Sequence, residues 1–199
     1  MAPKNPSSAQ QKESAHQLEI DRLFMERLIR FTAKSLETAT PVPFGALIVH
    51  SETGSILMRG RNAVGSESDP SAHAELRTVR KATKKLKSIN LSGYTMYSTC
   101  EPCPMCMANA LWAGIDRVVY GATIADANRH CRQIRISAKE VVRRSDMTCS
   151  VKGAFLRARC YALFTHPNML KAFATWSSRS TSSSANKTRR TRKRSSRNS

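Results

Sequence analysis

The sequence lacks any apolar run of roughly 18 residues, the length that a helix needs to cross a membrane. Residues 1–17 are polar and contain no apolar core of the kind that a secretory signal peptide carries. Neither a membrane protein nor a secreted protein is indicated, and we expect a cytoplasmic location. No internal repeat is visible, so a repeat architecture is not indicated either.

Cysteine is too sparse for a disulfide-stapled scaffold, since the 199 residues include only six cysteines. Three of them, Cys100, Cys103 and Cys106, fall within seven residues. Cys103 and Cys106 lie too close in sequence to staple distant parts of the chain by pairing with each other. The cluster therefore indicates a metal site.

Acidic residues are scarce, with 14 Asp+Glu against 33 Lys+Arg and a formal net charge of +19. Hydrophobic residues make up 40% of the chain and charged residues 24%, which is typical of a globular protein. A collagen-like, coiled-coil or wholly disordered chain is excluded. The length fits one domain better than two.

The positive charge is unevenly distributed. Residues 177–199 hold eight basic residues and no acidic one, so they carry +8 and leave +11 for residues 1–176. A basic excess favours a polyanionic partner, nucleic acids above all, RNA included, although a terminal charge run can also serve solubility alone. The segment 187–197 (KTRRTRKRSSR) could also act as a nuclear import signal.

Composition divides the chain into three segments. Residues 1–16, rich in Ser, Gln, Pro and Lys, are predicted to be a flexible N-terminal arm. Residues 17–176 are predicted to form one domain. Residues 177–199, with no apolar side chain larger than alanine, are predicted to be a disordered basic tail rich in Ser and Arg.

The first half of the domain predicts a helix, a hairpin and a second helix. Apolar residues at three- and four-residue steps predict an amphipathic helix over Leu18–Leu36. Two apolar runs, Phe44–His50 and Ser55–Arg59, flank turn-forming residues and predict an antiparallel hairpin. Gly60–Pro70 is predicted to be a loop, and Ser71 the N-cap of a helix that reaches Lys87.

The second half predicts alternating strands and helices. We predict a strand over Tyr94–Ser98, a helix over Pro102–Ala113 that starts on its proline, and a strand over Arg117–Gly121. Farther on, Ile134–Val142 is predicted to hold a short strand and turn, and Lys152–Phe164 a closing helix. This order of elements predicts an α/β sandwich with a mixed sheet.

Two short motifs carry the chemistry, His73-Ala74-Glu75 and the PCPMC run of residues 102–106. One histidine and two cysteines leave the fourth position of a tetrahedral zinc ion open, which is typical of a catalytic site. Glu75 follows the histidine by two residues and could relay a proton there. Taken alone, Glu75 could also be a helix-start carboxylate that only stabilises the helix dipole.

An iron–sulfur cluster or a cysteine-rich structural zinc site is the alternative, because Cys100, Cys103 and Cys106 are spaced as C-x-x-C-x-x-C. The fourth cysteine of the bacterial ferredoxin run is missing, since position 110 is alanine. On the catalytic-zinc interpretation, Cys100 packs as a small apolar residue.

The two motifs together resemble the H-x-E…P-C-x-x-C signature of the zinc-dependent cytidine and deoxycytidylate deaminase superfamily. The segments 69–75 (DPSAHAE) and 97–106 (YSTCEPCPMC), with Asn62 and the PFGA run of residues 43–46, look like its guanine, nucleoside and tRNA adenosine deaminase branch. The similarity extends from about Ile20 to Pro167.

The resemblance implies a cytidine deaminase-like, three-layer α/β/α sandwich that is usually a homodimer. It implies that His73, Cys103 and Cys106 hold Zn²⁺ and that Glu75 is the catalytic acid and base.

The same resemblance assigns three residues to substrate binding. Asn62 would hydrogen-bond the base or sugar, Phe44 would wall the pocket, and the N–H of Ala74 would contact a base oxygen. From the residues alone, Asn62 fits a turn equally well and Phe44 fits the core. The sequence departs most from the family after Asp126, where residues 129–133 and the following stretch lie at the place where this branch closes its pocket.

Three functions follow as hypotheses. The first is zinc-dependent deamination of a free base or nucleoside. A purine such as guanine is favoured, because residues 99–106 and 43–45 resemble the guanine and nucleoside deaminases more than the tRNA enzymes. The second is adenosine-to-inosine deamination of tRNA, which the basic charge favours. The third is a non-catalytic subunit of a deaminase complex, which the presence of Glu75 disfavours.

Overall fold

The computed structural model describes residues 8–176, with side chains from residue 14 onward. The predicted tail, 177–199, and residues 1–7 of the predicted arm lie outside the described residues. The helices are α1 (Ser8–Ala33), α2 (Val64–Glu67), α3 (Ala74–Leu86), α4 (Pro104–Trp112), α5 (Ile124–Ala127), α6 (Ala138–Arg143), α7 (Arg157–Thr165) and α8 (167–176). The strands are β1 (Gly45–His50), β2 (Ile56–Arg61), β3 (Tyr94–Cys100), β4 (Arg117–Ala122) and β5 (Ser150–Lys152).

The strands form one mixed sheet in the order β2-β1-β3-β4-β5. β1 pairs antiparallel with both β2 and β3, whereas β4 runs parallel to β3 and β5. The predicted hairpin is therefore confirmed as β1–β2. Gly54 in its turn has φ +67°, a conformation that glycine adopts without strain.

Helices cover both faces of the sheet, which confirms the three-layer α/β/α sandwich. Alternating side chains of β1 separate the two cores: Leu47 and Val49 join the cluster on the side of α1 and α7, and Ile48 joins the cluster on the side of α3 and α4. Met96 and Tyr97 of β3 divide in the same way. Within residues 8–176 no helix is long and apolar enough to cross a membrane.

A buried carboxylate ties α1 to the sheet. Asp21 is fully buried and accepts hydrogen bonds from the Tyr97 hydroxyl at 3.0 Å, from both terminal nitrogens of Arg117 at 2.7 Å and from Lys152 at 2.9 Å. These partners belong to β3, β4 and β5. Burial alone raises the pKa of Asp21, but the hydrogen bonds from Arg117 and Lys152 outweigh it and lower the pKa.

The first helix is longer than its apolar pattern predicts. α1 begins at Ser8, so residues 8–16, which were predicted as part of a flexible arm, are helical. Alanine, glutamine, lysine and glutamate favour helix without any apolar face. Apolar periodicity marks only the part of a helix that packs on a core, so it could not indicate this extension. At the other end α1 stops at Ala33, three residues before the predicted end.

Both motif-bearing helices begin later than predicted. α3 starts at Ala74 with His73 as its N-cap, because the Ser71 hydroxyl donates to Asp69 at 2.7 Å within the preceding turn. α4 starts at Pro104 with Cys103 as its N-cap, so Pro104 and not Pro102 is the proline at the first helical position.

Other differences concern short elements. The predicted loop 60–70 starts inside β2 and contains the one-turn helix α2. The strand predicted within Ile134–Val142 is wrong, since Ser137 caps the helix α6 there. The predicted closing helix, Lys152–Phe164, begins only at Arg157, after the strand β5 and a turn.

Candidate active site

The N-termini of α3 and α4 bring three metal-ligating side chains together. His73 is the N-cap residue of α3, Cys103 is the N-cap residue of α4, and Cys106 lies in the first turn of α4. The Nδ1 atom of His73 lies 3.6 Å from the Sγ atom of each cysteine. The three ligand atoms all lie within 4.8 Å of one another.

This geometry fits a zinc ion. Zinc bonds of about 2.1 Å to nitrogen and 2.3 Å to sulfur at a tetrahedral angle give an N···S separation of about 3.6 Å. The two helix N-termini also favour thiolates over neutral thiols. The histidine, the two cysteines and their separations therefore match Zn²⁺.

Hydrogen bonds link the three ligands and shift their pKa values. The pKa of Cys103 is lowered to about 4, chiefly by the hydrogen bond from Cys106 and then by that from His73. The pKa of Cys106 is raised, because it donates to Cys103 and is itself buried. The pKa of His73 is raised by its hydrogen bond with the Cys103 thiolate.

Glu75 is held beside the three ligands in a buried position. Its side chain belongs to the first turn of α3, and the residue is 5% exposed. The Ser98 hydroxyl of β3 donates to Oε1 of Glu75 at 2.7 Å. Burial raises the pKa of Glu75, and the hydrogen bond from Ser98 moderates that rise. Sequence reasoning did not identify Ser98.

Two of the three ligands, all but Cys106, open onto a cavity of about 1120 Å³ whose wall also includes Glu75. His73 and Cys103 line this cavity directly. Phe44 forms part of its wall and packs edge-on against Phe164 with ring centroids 5.1 Å apart, so it serves both pocket and core.

Asn62 also lines the cavity, and its Oδ1 accepts a hydrogen bond from the N–H of Val64 at 3.1 Å. Its side chain thus makes the predicted turn contact and still borders the pocket. Ala74 is fully buried at the first position of α3, where a backbone N–H has no acceptor within the helix.

The opposite wall comes from the C-terminal half of the chain. Residues 131–134 of the segment after α5 line the cavity, as do Lys171 and Trp176 of α8. The predicted closing segment, 129–133, therefore reaches the pocket through its last three residues. His130 instead stacks on Phe173 with ring centroids 5.2 Å apart.

Glu101 fixes this wall relative to the metal ligands. It is 8% exposed, and its two carboxylate oxygens accept the N–H groups of Ile124 at 3.1 Å and Ala138 at 3.0 Å. These are the first residues of α5 and α6, so one carboxylate stabilises two helix N-termini. Sequence reasoning did not identify Glu101.

Cys100 stays outside the metal group. Among the described residues the metal-ligating group contains His73, Cys103 and Cys106 alone. Cys100 is 2% exposed, and its Sγ contacts the carbonyl oxygen of Thr123 at 3.8 Å. Burial raises the pKa of this thiol well above its usual range. The ligand set is therefore that of a zinc site and not that of an iron–sulfur cluster.

A family profile matches residues 18–122, and its description is the cytidine and deoxycytidylate deaminase zinc-binding region. The matched segment runs from α1 to the end of β4 and contains all three metal ligands and Glu75. It makes up more than half of the chain.

The relatives include a guanine deaminase and several tRNA-specific adenosine deaminases. The chain is 38% identical over 104 residues to a guanine deaminase of Bacillus subtilis, which covers 52% of this chain and 65% of that protein. It is also 38% identical over 102 residues to a tRNA-specific adenosine deaminase of the same organism. That alignment covers 51% of this chain and 62% of that protein. The chain thus spans less than two thirds of either relative.

A solved structure from a study of A-to-I editing by tRNA:A34 deaminases superposes with a TM-score of 0.60 at 26% identity. The superposition covers 71% of this chain and 99% of that one.

Proposed function

The chain belongs to the family of the cytidine and deoxycytidylate deaminase zinc-binding region, and from that premise we propose that it is a zinc-dependent hydrolytic deaminase of a purine base or nucleoside. The reaction replaces an exocyclic amino group with a carbonyl oxygen: a C–O bond to water forms, the C–N bond breaks, and ammonia leaves. The observation that carries this proposal is the buried carboxyl of Glu75, which lines the same cavity as His73 and Cys103.

His73, Cys103 and Cys106 would hold the zinc ion. When bound there, zinc supplies Lewis acidity that makes a water molecule in the site easier to deprotonate. A catalytic role fits this ligand set, since three protein ligands leave one position of the tetrahedron for water or substrate.

Glu75 would move the protons. With Oε1 engaged by Ser98, Oε2 is the atom that takes a proton from the attacking water and returns it to the departing amino group. A pKa raised by burial suits both steps, because the carboxyl can then hold the proton between them.

The pocket residues would hold a flat base. Phe44 offers an aromatic ring at the wall, and the Nδ2 atom of Asn62 is the atom we assign to the substrate, because Oδ1 already accepts from Val64. The N–H of Ala74 would donate to a base oxygen. An apolar wall with a few fixed polar groups is what base recognition requires.

The experiment measures ammonia release by the zinc-loaded chain on a panel of purine and pyrimidine bases and nucleosides. Turnover of guanine or another purine, lost in Glu75→Ala, is the expected result. A loaded protein that is inert on the whole panel and cannot be distinguished from Glu75→Ala would refute the enzyme proposal and favour a non-catalytic subunit.

The second candidate is adenosine-to-inosine deamination of tRNA. The net charge of +19 favours it, since a basic protein attracts a polyanionic substrate. The relatives named tRNA-specific adenosine deaminase support the same candidate. Inosine formation in a transfer RNA substrate, measured by nucleoside analysis, separates it from free-base turnover.

Assembly and location remain proposals. We propose a homodimer, because Trp112 of α4 is 75% exposed and Ile89 is 84% exposed, an unusual exposure for such large apolar side chains. Light scattering at two protein concentrations tests for this dimer. None of the six cysteines, all of which lie in the described residues, forms a disulfide. Fusing residues 187–197 to an inert reporter tests nuclear import.

A further inference from the structure

A row of cations that form no salt bridge within residues 14–176 borders the edge strand β2 on the α1 side of the sheet. We name it the cationic stripe and define it by Arg27, Arg30 and Lys34 of α1 and Arg59 and Arg61 of β2. We propose that the cationic stripe binds the phosphates of a single-stranded polynucleotide whose target base enters the cavity. The inference rests on the second candidate of the proposed function, deamination of a base within RNA, for the fate of that base.

The α1 half of the stripe follows from helical spacing. Residues 27, 30 and 34 are three and four positions apart, so they share one face of the helix, and all three are exposed. Phe31 lies on the same face. The Arg27 guanidinium lies 5.6 Å from the ring centroid of Phe24, which fixes its position on this side of the helix.

The β2 half follows from strand alternation. Arg59 and Arg61 are two residues apart, so their side chains leave the same side of the strand. Both guanidinium carbons lie 4.9 Å from the ring centroid of Phe31. Two planar cations therefore share one aromatic ring, where each can still present N–H donors to a phosphate.

Nothing in the described part of the chain neutralises the stripe. None of its five residues forms a salt bridge there, whereas Arg117, Arg157 and Arg159 each pair with a carboxylate. The nearest α1 carboxylate in sequence, that of Glu26, is committed to Arg159. Like charges around one ring repel, and a bound anion would relieve that repulsion.

Both halves of the stripe end at the cavity. Beyond Lys34 the chain reaches residues 38–40, which line the cavity, and beyond Arg61 it reaches Asn62, which lines it as well. A strand bound along the stripe would therefore arrive at the pocket mouth. This continuity connects phosphate binding with base binding.

The length of the stripe indicates more than one phosphate. Arg27 and Lys34 are separated by about 10 Å along the helix axis at 1.5 Å per residue. A free base has no phosphate to place there, and a mononucleotide has too few to span it. A single strand supplies both repeated phosphates and an unstacked base.

The test is fluorescence anisotropy of a labelled strand of about 20 nucleotides with the full zinc-loaded chain, at several salt concentrations. The variant is Arg59→Gln with Arg61→Gln. The matched control is Arg143→Gln with Arg144→Gln, which removes the same charge from two exposed arginines that both pair with Glu140. RNA and DNA strands form separate arms and identify the source of the phosphates.

We expect the stripe variant to bind on the order of tenfold more weakly at 0.1 M salt, and its slope of log K against log salt to be about 1.4 shallower, since two phosphate contacts are lost. The control should change less than twofold. Equal losses in both variants, or none in the stripe variant, would overturn the proposal, because binding would then depend on net charge or on other residues.

A replacement variant and a lipid-vesicle arm complete the experiment. If the double variant does not fold, as judged by circular dichroism, Arg30→Gln with Lys34→Gln replaces it against the same control. Vesicles containing phosphatidylserine form a further arm, and stripe-dependent binding to vesicles but not to either strand would overturn the proposal. Binding needs no turnover, so a chain that binds strands but deaminates nothing contradicts the proposed function and not the stripe.

Discussion

The Ser98 hydroxyl of β3 donates a hydrogen bond of 2.7 Å to Oε1 of Glu75 at the start of α3, and both residues are buried. The sheet thereby orients the carboxyl that we assign to proton transfer. Because this bond favours the charged carboxylate, it also opposes the rise in the pKa of Glu75 that burial causes.

Ser98→Ala should lower kcat by roughly tenfold, the loss expected for one buried hydrogen bond to a charged group. Without that bond the pKa of Glu75 rises further. Since Glu75 must be ionised to take a proton from water, the acidic limb of the profile of kcat/KM against pH should move to higher pH. Ser51→Ala, which breaks a hydroxyl pair with Thr95 at the other end of β1, is the control. An unmoved acidic limb in Ser98→Ala would contradict this role.

Cys103→Ser should reduce zinc affinity by more than about 100-fold and abolish activity. The substitution removes a metal ligand itself, which costs more than removing a residue that only hydrogen-bonds a ligand. Cys100→Ser should retain one zinc per chain and most of the activity, since Cys100 lies outside the ligand group. Elemental analysis of the purified variants gives the stoichiometry. Loss of metal from both variants alike would favour a ligand set that includes Cys100.

Glu101→Gln should raise KM more than it lowers kcat. The amide oxygen can accept only one of the two N–H groups of Ile124 and Ala138, and the amide NH₂ group then faces the other. The cavity wall at residues 131–134 should therefore loosen while the metal ligands stay in place. Steady-state kinetics with zinc analysis checks this expectation. A variant that loses zinc but binds substrate normally would place Glu101 with the metal ligands instead.

Asp21→Asn should destabilise the fold at pH 7 by about 3 kcal/mol, since one partner of a buried charge network is changed. The folded-state pKa of Asp21 lies below its unfolded value, so its contribution is present above about pH 4 and is lost as pH falls through the folded pKa. Urea unfolding at pH 7 and pH 3 should therefore show a gap between wild type and variant that narrows in acid. Glu52→Gln in the exposed hairpin turn is the control, and a gap of constant size would contradict the assignment.

The central elements could be predicted because their signals are local. β1 and β2 show apolar runs around a turn, so the sheet centre followed from the sequence pattern. The assignment of His73, Cys103 and Cys106 as ligands came from two motifs, which sit where helices begin, and from their resemblance to a known signature. The C-terminal half has no such periodicity. α6 begins at a serine cap inside Ile134–Val142, a segment whose alternating apolar residues also fit a strand.

Contacts distant in sequence were the least predictable part of the site. Ser98 and Glu75 are 23 residues apart, and Glu101 and Ala138 are 37 apart. Alternation along β3 places Ser98 on the side of Met96, toward α3, but only the packed structure shows which carboxyl lies there. The cationic stripe likewise depends on a contact between Phe31 of one element and Arg59 of another.

The most direct measurement follows the oxygen atom. The zinc-loaded chain and Glu75→Gln are incubated with the best purine substrate in water enriched in ¹⁸O, and the product is analysed by mass spectrometry. Hydrolytic deamination with Glu75 as the proton carrier predicts one ¹⁸O atom in the product carbonyl and one ammonia per turnover, with the rate of the variant lower by about 10²–10⁴. Product without ¹⁸O, or equal rates for both proteins, would contradict the account.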